Sequence, residues 1–153
     1  MPFPLARLLR REDSALEGRT FATAVHYMMW RKAMFFDDLT SAELILRASH
    51  PPQAKELGRG VTGFDQDRWD ASRYEIVLAG SIAKFAQHPD LRRFLLNTGD
   101  RVFVEASPLD RVWGIGMTAD DPRATQPARW LGLNLLGFAL TEARTILSRS
   151  DVP

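Results

Sequence analysis

Residues 20–38, TFATAVHYMMWRKAMFFDD, contain side chains whose type and spacing could serve a reaction. Thr23 is a helix-capping residue type, so Val25 falls in the first helical turn, where backbone N–H groups and the helix dipole favour a carboxylate. An aliphatic side chain is unexpected there. Lys32 follows seven residues later, two helical turns further along and on the same face. Such a lysine could neutralise a phosphate or steady a leaving base, or it could be an ordinary solvated lysine.

Three further candidate residues lie outside this segment. Glu105 ends the alternating segment RVFVEAS, where a carboxylate can face a cleft or can pair with Arg101 or Arg111 at the surface. Trp69 lies in a helical pattern, where a tryptophan either stacks on a base or belongs to the core. Asn134 is an amide on an otherwise apolar helix face, so burial would oblige it to bond to a ligand or to the backbone.

Glycines, prolines and apolar periodicity divide the chain into elements that would position these residues. The pattern predicts a short hairpin at LEGRTF, followed by helices at about 23–36, at about 40–48, in HPPQAKELGRG, from Asp65 or Asp67 to Pro89 and in PDLRRFLLNTG. After these it predicts a strand in RVFVEAS, a second strand or an extended segment in RVWGIGM, and a final helix at about 127–148. Thr40 and Glu43 fit a capping box for the second helix. The predicted fold is α+β, a mostly helical single domain with a small β-sheet.

Composition narrows the class of protein. The chain has 153 residues, 45% of them hydrophobic and 25% charged, as in an ordinary globular domain, and no apolar run approaches the ~18–20 residues of a membrane span. It has no cysteine, and its three dispersed histidines lack metal-ligand spacing, so no metal site is expected. A net charge of +1 is small for a non-specific nucleic-acid binder. Because no secretory signal pattern is found, we expect a cytoplasmic protein.

Several separated motifs together resemble the NADAR domain, also called the YbiA-like family. The motifs are Thr-Ala-Val-His-Tyr with Lys32, Lys55-Glu56-Leu57-Gly58-Arg59, Trp69, AKFAQHPDLRRFLLNTG, VEASPLDRVWGIG and GLNLLGFALTEAR. They occur in the family's order over about residues 18–147. The resemblance implies a YbiA-like fold for residues 18–148, preceded by a variable segment at residues 1–17, where the family's usual opening motif is replaced.

The resemblance also implies an N-glycosidase that needs no cofactor. Its reaction would be hydrolysis of the ribosyl C–N bond in an ADP-ribosylated guanine or in a riboflavin-pathway intermediate. The partner would be a small nucleotide or an ADP-ribosylated base within nucleic acid, with no role for a membrane. Breaking such a bond passes through an oxocarbenium-like state, which needs a nearby carboxylate, an oriented water and a group that accepts charge on the departing base. The alternative is a non-catalytic module that binds ADP-ribose or a nucleotide.

Position 25 departs from the family pattern, which usually reads Thr-x-Glu-His-Tyr with the glutamate as the principal catalytic candidate. Val25 cannot accept a proton, and loss of one general acid–base group typically costs ~10²- to 10⁴-fold in rate. The valine is a natural change in a degenerate member, a deliberate substitution that traps a ligand, or a change compensated by a neighbouring carboxylate. Glu105 matches a family position and is the best surviving carboxylate.

The resemblance assigns roles to the remaining site residues. Lys32 would act with Glu105 in catalysis, at a site whose third catalytic position is Val25. The substrate-binding residues would be His26, Tyr27, Trp69, Trp113, Gly114, Gly116 and Asn134. Glycines of the Trp-Gly-x-Gly motif permit close approach of the backbone to a ligand, whereas His26 is equally well explained as a core histidine with satisfied hydrogen bonds. We expect Lys32, Glu105 and Trp113 to meet in one hollow shaped for a sugar-phosphate.

Overall fold

The computed structural model describes residues 14–16 and 18–150, so most of the predicted variable segment lies outside the described residues. Two three-residue strands, β1 (Ser14–Leu16) and β2 (Arg19–Phe21), precede the helices. The helices of the described chain are α1 (Ala24–Phe35), α2 (Leu39–Leu46), α3 (Pro51–Arg59), α4 (Gln66–Gln87), α5 (Pro89–Leu96) and α6 (Leu135–Ser150). The prediction of a mostly helical protein is confirmed. None of these helices is long and apolar enough to cross a membrane.

Strand pairing in the described residues is confined to the hairpin of β1 and β2, in which Ala15 is opposite Thr20. The turn uses Gly18 at a φ of +74°, a conformation that glycine adopts without strain. The strand predicted within residues 101–107 is wrong, since this segment is irregular apart from an isolated bridge at Phe103. Of the two alternatives for residues 111–117, the strand is wrong, since this segment consists of bends and irregular backbone. The backbone groups of both segments bond to loops and side chains instead. The predicted small β-sheet is therefore not confirmed.

The N-terminal unit, described from residue 14 to residue 87, is built around α1. This helix packs against α2, α3 and α4, and its apolar residues, among them Tyr27 and Trp30, join a continuous buried core. Close packing depends on glycine at two positions. A Cβ on Gly80 of α4 would lie 2.7 Å from Tyr27 Cδ1, and a Cβ on Gly58 of α3 would collide with the Met29 sulfur.

The predicted capping box of Thr40 and Glu43 is wrong, because Asp38 caps α2. The Asp38 carboxylate accepts hydrogen bonds from the Ser41 backbone N–H (3.0 Å), the Ser41 hydroxyl (2.6 Å) and the Thr62 backbone N–H (3.0 Å). The last bond joins α2 to the loop between α3 and α4. These bonds, led by that from the Ser41 hydroxyl, lower the pKa of Asp38 to about 2.

The C-terminal unit, described over residues 88–150, contains α5 and α6. The prediction that the final helix begins near residue 127 is wrong, because α6 begins at Leu135 and residues 127–129 form only a short 3₁₀ turn. Asn134, immediately before α6, has a φ of +52°, outside the helical region. The N–H groups of Leu133, Leu135 and Leu136 donate to carbonyls of residues 111–113 at 2.9–3.2 Å. The chain before α6 is therefore held by a neighbouring loop.

Replacement of Asp38 should destabilise the protein more than replacement of Thr40, because Asp38 accepts the bonds that cap α2 and hold Thr62. We expect Asp38→Ala to lower the melting temperature by roughly 2–8 °C and Thr40→Ala to lower it by less than about 1 °C. Thermal unfolding followed by circular dichroism measures both variants. Equal destabilisation would show that Asp38 is not the cap.

The contribution of Asp38 should also depend on pH. Its pKa is about 2 in the folded protein against an ordinary value of 3.8, so its stabilisation is present above about pH 4 and is lost as pH falls through about 2. The difference in free energy of unfolding between the parent and Asp38→Asn should therefore stay constant from pH 7 to about pH 5 and then shrink. Urea unfolding across this range measures it, and an undiminished difference at about pH 2 would contradict the assignment.

Candidate functional site

His26 fixes the start of α1 through hydrogen bonds within the protein. Its Nδ1 lies 2.7 Å from Thr23 Oγ1, and its Nε2 lies 3.0 Å from the carbonyl oxygen of Ala48. Because a carbonyl can only accept, Nε2 carries a proton in this bond, and in the tautomer with hydrogen on Nε2 alone Nδ1 accepts from the Thr23 hydroxyl. The residue is 1% exposed. This geometry favours the core interpretation of His26 over a substrate contact.

The ammonium of Lys32 lies against aromatic rings near the end of α1. Its Nζ is 4.5 Å from the centroid of Phe64 and 5.9 Å from that of Trp69, both within the range of cation–π attraction. Phe64 is 40% exposed, whereas Trp69 is buried. Together with Arg59, whose charge acts on Lys32, these residues form what we call the Lys32 cluster.

Electrostatics distinguish Lys32 from a solvated lysine. Burial, followed by repulsion from the Arg59 guanidinium, holds the pKa of Lys32 below its ordinary value. No described carboxylate forms an ion pair with Lys32, whereas Arg59 is paired with Glu56 at 2.6 Å. An ammonium that is partly desolvated and lies near a second cation is stabilised by an approaching anion. The Lys32 cluster can therefore bind a negatively charged group beside an exposed ring.

Val25 lies in the first turn of α1, two turns before Lys32. Its side chain is partly buried and packs against the core of the N-terminal unit. The first turn of α1 contains no acidic residue. The predicted first helix is thus formed, with an apolar side chain at residue 25, and the catalytic role of this position stays a prediction.

Two predicted substrate-binding residues of the N-terminal unit are buried in its core. The Tyr27 ring meets the Phe21 ring edge to face at 5.1 Å between centroids. The Trp69 ring meets the Phe35 ring at 6.4 Å. Trp69 also faces Lys32, so it contributes to the wall of the cluster. Direct contact of either ring with a substrate stays a prediction.

Glu105 lies in the irregular segment 101–107 of the C-terminal unit rather than at a strand end. Its backbone N–H donates to Asn134 Oδ1 at 3.0 Å. Its carbonyl oxygen accepts from the N–H groups of Ile115 (2.9 Å) and Ser107 (3.1 Å). Its side chain is partly exposed. The backbone of the candidate carboxylate is therefore held from both sides.

The Trp-Gly-x-Gly motif forms a tight loop rather than a strand. Asp110 Oδ1 accepts from the backbone N–H of Trp113 at 2.8 Å. A Cβ on Gly114 would lie 2.8 Å from the Glu105 carbonyl oxygen, and Gly116 has a φ of +72°. Packing and backbone conformation therefore require both glycines. Their contact with a ligand stays a prediction.

The predicted site residues divide between the two units. The N-terminal unit holds Val25, His26, Tyr27, Lys32 and Trp69, and the C-terminal unit holds Glu105, Trp113, Gly114, Gly116 and Asn134. The single hollow expected for Lys32, Glu105 and Trp113 stays a prediction. The sequence reasoning did not select Phe64, whose only signal was an aromatic residue within the polar segment VTGFDQD.

Comparisons of this chain with a family model and with known proteins indicate the same family. A family model of the NADAR domain matches residues 4–148. An N-glycosidase of Acanthamoeba polyphaga mimivirus is 42% identical over 132 residues, which are 84% of this chain and 78% of that protein. Protein irg-1 of Caenorhabditis elegans is 32% identical over 143 residues, or 92% of this chain and 68% of that protein.

A third similar protein, the N-glycosidase YbiA of Escherichia coli, is 31% identical over 133 residues, which are 87% of this chain and 74% of that protein. The NMR structure of the Escherichia coli protein YbiA matches this structure with a TM-score of 0.74 at 29% identity, covering 92% of this chain and 75% of that chain. The YbiA-like fold predicted from the sequence is therefore confirmed.

Removal of the Lys32 ammonium should weaken the binding of an anionic nucleotide. We expect Lys32→Met, which keeps most of the apolar stem, to raise the Kd for ADP-ribose by about tenfold or more, because a charge-assisted contact is lost. The matched control, Lys55→Met, removes an exposed lysine of α3 and should change Kd by less than about twofold. Isothermal titration calorimetry measures both. Equal Kd values for Lys32→Met and the parent would exclude the cluster as the anion site.

Proposed function

The chain belongs to the NADAR domain family, and from this premise we propose that it is an N-glycosidase acting on an ADP-ribosylated guanine or a related ribosylated base. A riboflavin-pathway intermediate is the related substrate of the same class. Two of the three relatives described above are named N-glycosidases, and the name of the third states no activity. Their names support a glycosyl hydrolase, while the substrate is our proposal.

The observation that carries the proposal is the Lys32 cluster. It combines a partly desolvated ammonium with the exposed ring of Phe64, 4.5 Å from Nζ. A ribosylated nucleotide offers the two complementary features, a phosphate that would neutralise the ammonium and a flat base that would stack on a ring. A neutral sugar or an apolar ligand offers neither charge nor a matching base.

The proposed reaction is hydrolysis at the anomeric carbon. A water oxygen forms a bond to this carbon while the C–N bond breaks and its electron pair leaves with the base. Glu105 would stabilise the positive charge and accept a proton from the water, and a proton must reach the departing base. Lys32 would neutralise the phosphate and so hold the substrate at the site, and solvent water would supply the proton to the base. These roles follow from the requirements of the reaction and from the family positions of the two residues.

A second candidate function is a non-catalytic module that binds ADP-ribose or another nucleotide. The observation that favours it is Val25, which packs against the core and leaves the first turn of α1 without an acid. The Lys32 cluster would bind the same ligand in either case. The two functions therefore differ in turnover rather than in ligand.

Introduction of the acid should reveal whether the remaining site supports catalysis. We expect Val25→Glu to raise the rate of ADP-ribose release from ADP-ribosylated guanine in DNA by ~10²- to 10⁴-fold over the parent, because it restores a carboxylate. Val25→Gln has a similar shape without the charge and should give no gain. Single-turnover reactions analysed by mass spectrometry measure all three proteins, and circular dichroism checks that each is folded.

The outcomes separate the two functions. A gain with glutamate but not with glutamine would support an N-glycosidase site that lacks only its acid. Micromolar or tighter binding of ADP-ribose by all three proteins without turnover would support the binding module. Absence of both binding and turnover would contradict both functions.

A further inference from the structure

The side chain of Asn134 joins the start of α6 to the segment that carries Glu105. Its Oδ1 accepts from the Glu105 backbone N–H at 3.0 Å, and its Nδ2 donates to the Phe103 carbonyl oxygen at 2.9 Å. In an extended chain, the carbonyl of one residue and the N–H two residues later point to the same side. The carboxamide therefore bonds to this segment as a neighbouring strand would.

The surroundings of Asn134 hold the amide in place. Its backbone N–H donates to the Gly114 carbonyl at 2.9 Å, and its carbonyl accepts from the Phe138 N–H at 3.1 Å. Its φ of +52° lies in the left-handed region, which asparagine and glycine tolerate better than other residues. A Cβ on Gly137 would lie 2.7 Å from Asn134 Oδ1, so glycine leaves the space that the amide fills.

Burial argues against a ligand contact for Asn134. The residue is 0% exposed, and each end of its amide bonds to a backbone group of the same segment. Asn134 Oδ1 is the acceptor that receives the Glu105 N–H. Without it, the Glu105 N–H would lose this acceptor, and the partly buried backbone from which the Glu105 side chain projects would lose one of the bonds that hold it.

We infer that Asn134 is a positioning residue, which orients the Glu105 carboxylate through the peptide backbone and does not bind substrate. We call the two bonds from the Asn134 amide to Glu105 and Phe103 the backbone clamp. The clamp itself does not depend on the proposed function, whereas its effect on catalysis rests on that function. Misplacement of a reacting group by about 1 Å can cost ~10²-fold in rate. The clamp thus assigns to catalysis a residue that would otherwise be interpreted as part of the substrate pocket.

Asn134→Gly is the most informative variant, because glycine retains the left-handed backbone and removes only the amide. Asn134→Gly is made in the parent and in Val25→Glu, and each of these two backgrounds is prepared once with Glu105 and once with Glu105→Gln. With Glu105 present, we expect turnover to fall about 10- to 100-fold while the Kd for ADP-ribose changes by less than about twofold. With Glu105→Gln, we expect Asn134→Gly to cause almost no further loss of turnover. A weaker affinity for ADP-ribose, or an equal loss of turnover with and without Glu105, would overturn the inference.

Amide hydrogen exchange tests the clamp without enzymatic turnover. In NMR spectra of the parent, the Glu105 amide should be protected, and in Asn134→Gly it should exchange faster while the amides of α4 stay protected. Asn134→Ala also removes the amide and should likewise speed exchange of the Glu105 amide, which gives a second variant if Asn134→Gly fails to fold. Full retention of the protection of the Glu105 amide in either folded variant would overturn the clamp. Absence of both turnover and ADP-ribose binding in the parent and Val25→Glu would count against the proposed function alone, since exchange still tests the clamp.

Discussion

Partial removal of an ammonium from water costs free energy, and at Lys32 the protein offsets only part of this cost. The Phe64 ring at 4.5 Å provides a weak attraction, while Arg59 opposes the charge. The position of Lys32 depends on the placement of α1, which His26 ties to the segment after α2 through the Ala48 carbonyl. A buried histidine and a close-packed helix therefore determine where the cation lies. A bound anion would offset the rest of the cost of desolvating Lys32. The packing of α1 therefore affects ligand binding, because it sets the position of this cation.

Local sequence signals predicted elements whose causes are local. Thr23 was expected to begin α1, and its hydroxyl accepts from the His26 N–H. The cap of α2 was placed at Thr40 because the capping box is a local pattern. Asp38 also accepts from Thr62, 24 residues away, and no local pattern contains that bond. The strand predicted through Glu105 failed for the same reason, since its backbone partner is the side chain of Asn134, 29 residues later.

The candidate site was predictable in residue type but not in arrangement. Lys32 was selected by the family resemblance together with its helical spacing from Val25, and the structure adds the ring of Phe64, which lies in a loop without periodicity. Asn134 was recognised as an amide that needs a hydrogen-bond partner, but the sequence could not decide whether this partner is the backbone or a ligand. Val25 was identified as unusual both from the helix dipole and from the family pattern. The structure adds that valine packs well where it stands, so the fold does not require an acid there.

The most direct measurement of the proposed ligand site is the pKa of Lys32 by NMR of its Cε and Nζ atoms, with and without saturating ADP-ribose. In the free protein we expect the pKa to lie below the ordinary value of 10.5, because burial and Arg59 disfavour the charged form. Bound ADP-ribose should raise it, since a phosphate favours the ammonium, and binding should therefore weaken as pH rises through the pKa of Lys32. An ordinary pKa that does not change at saturation would contradict the site.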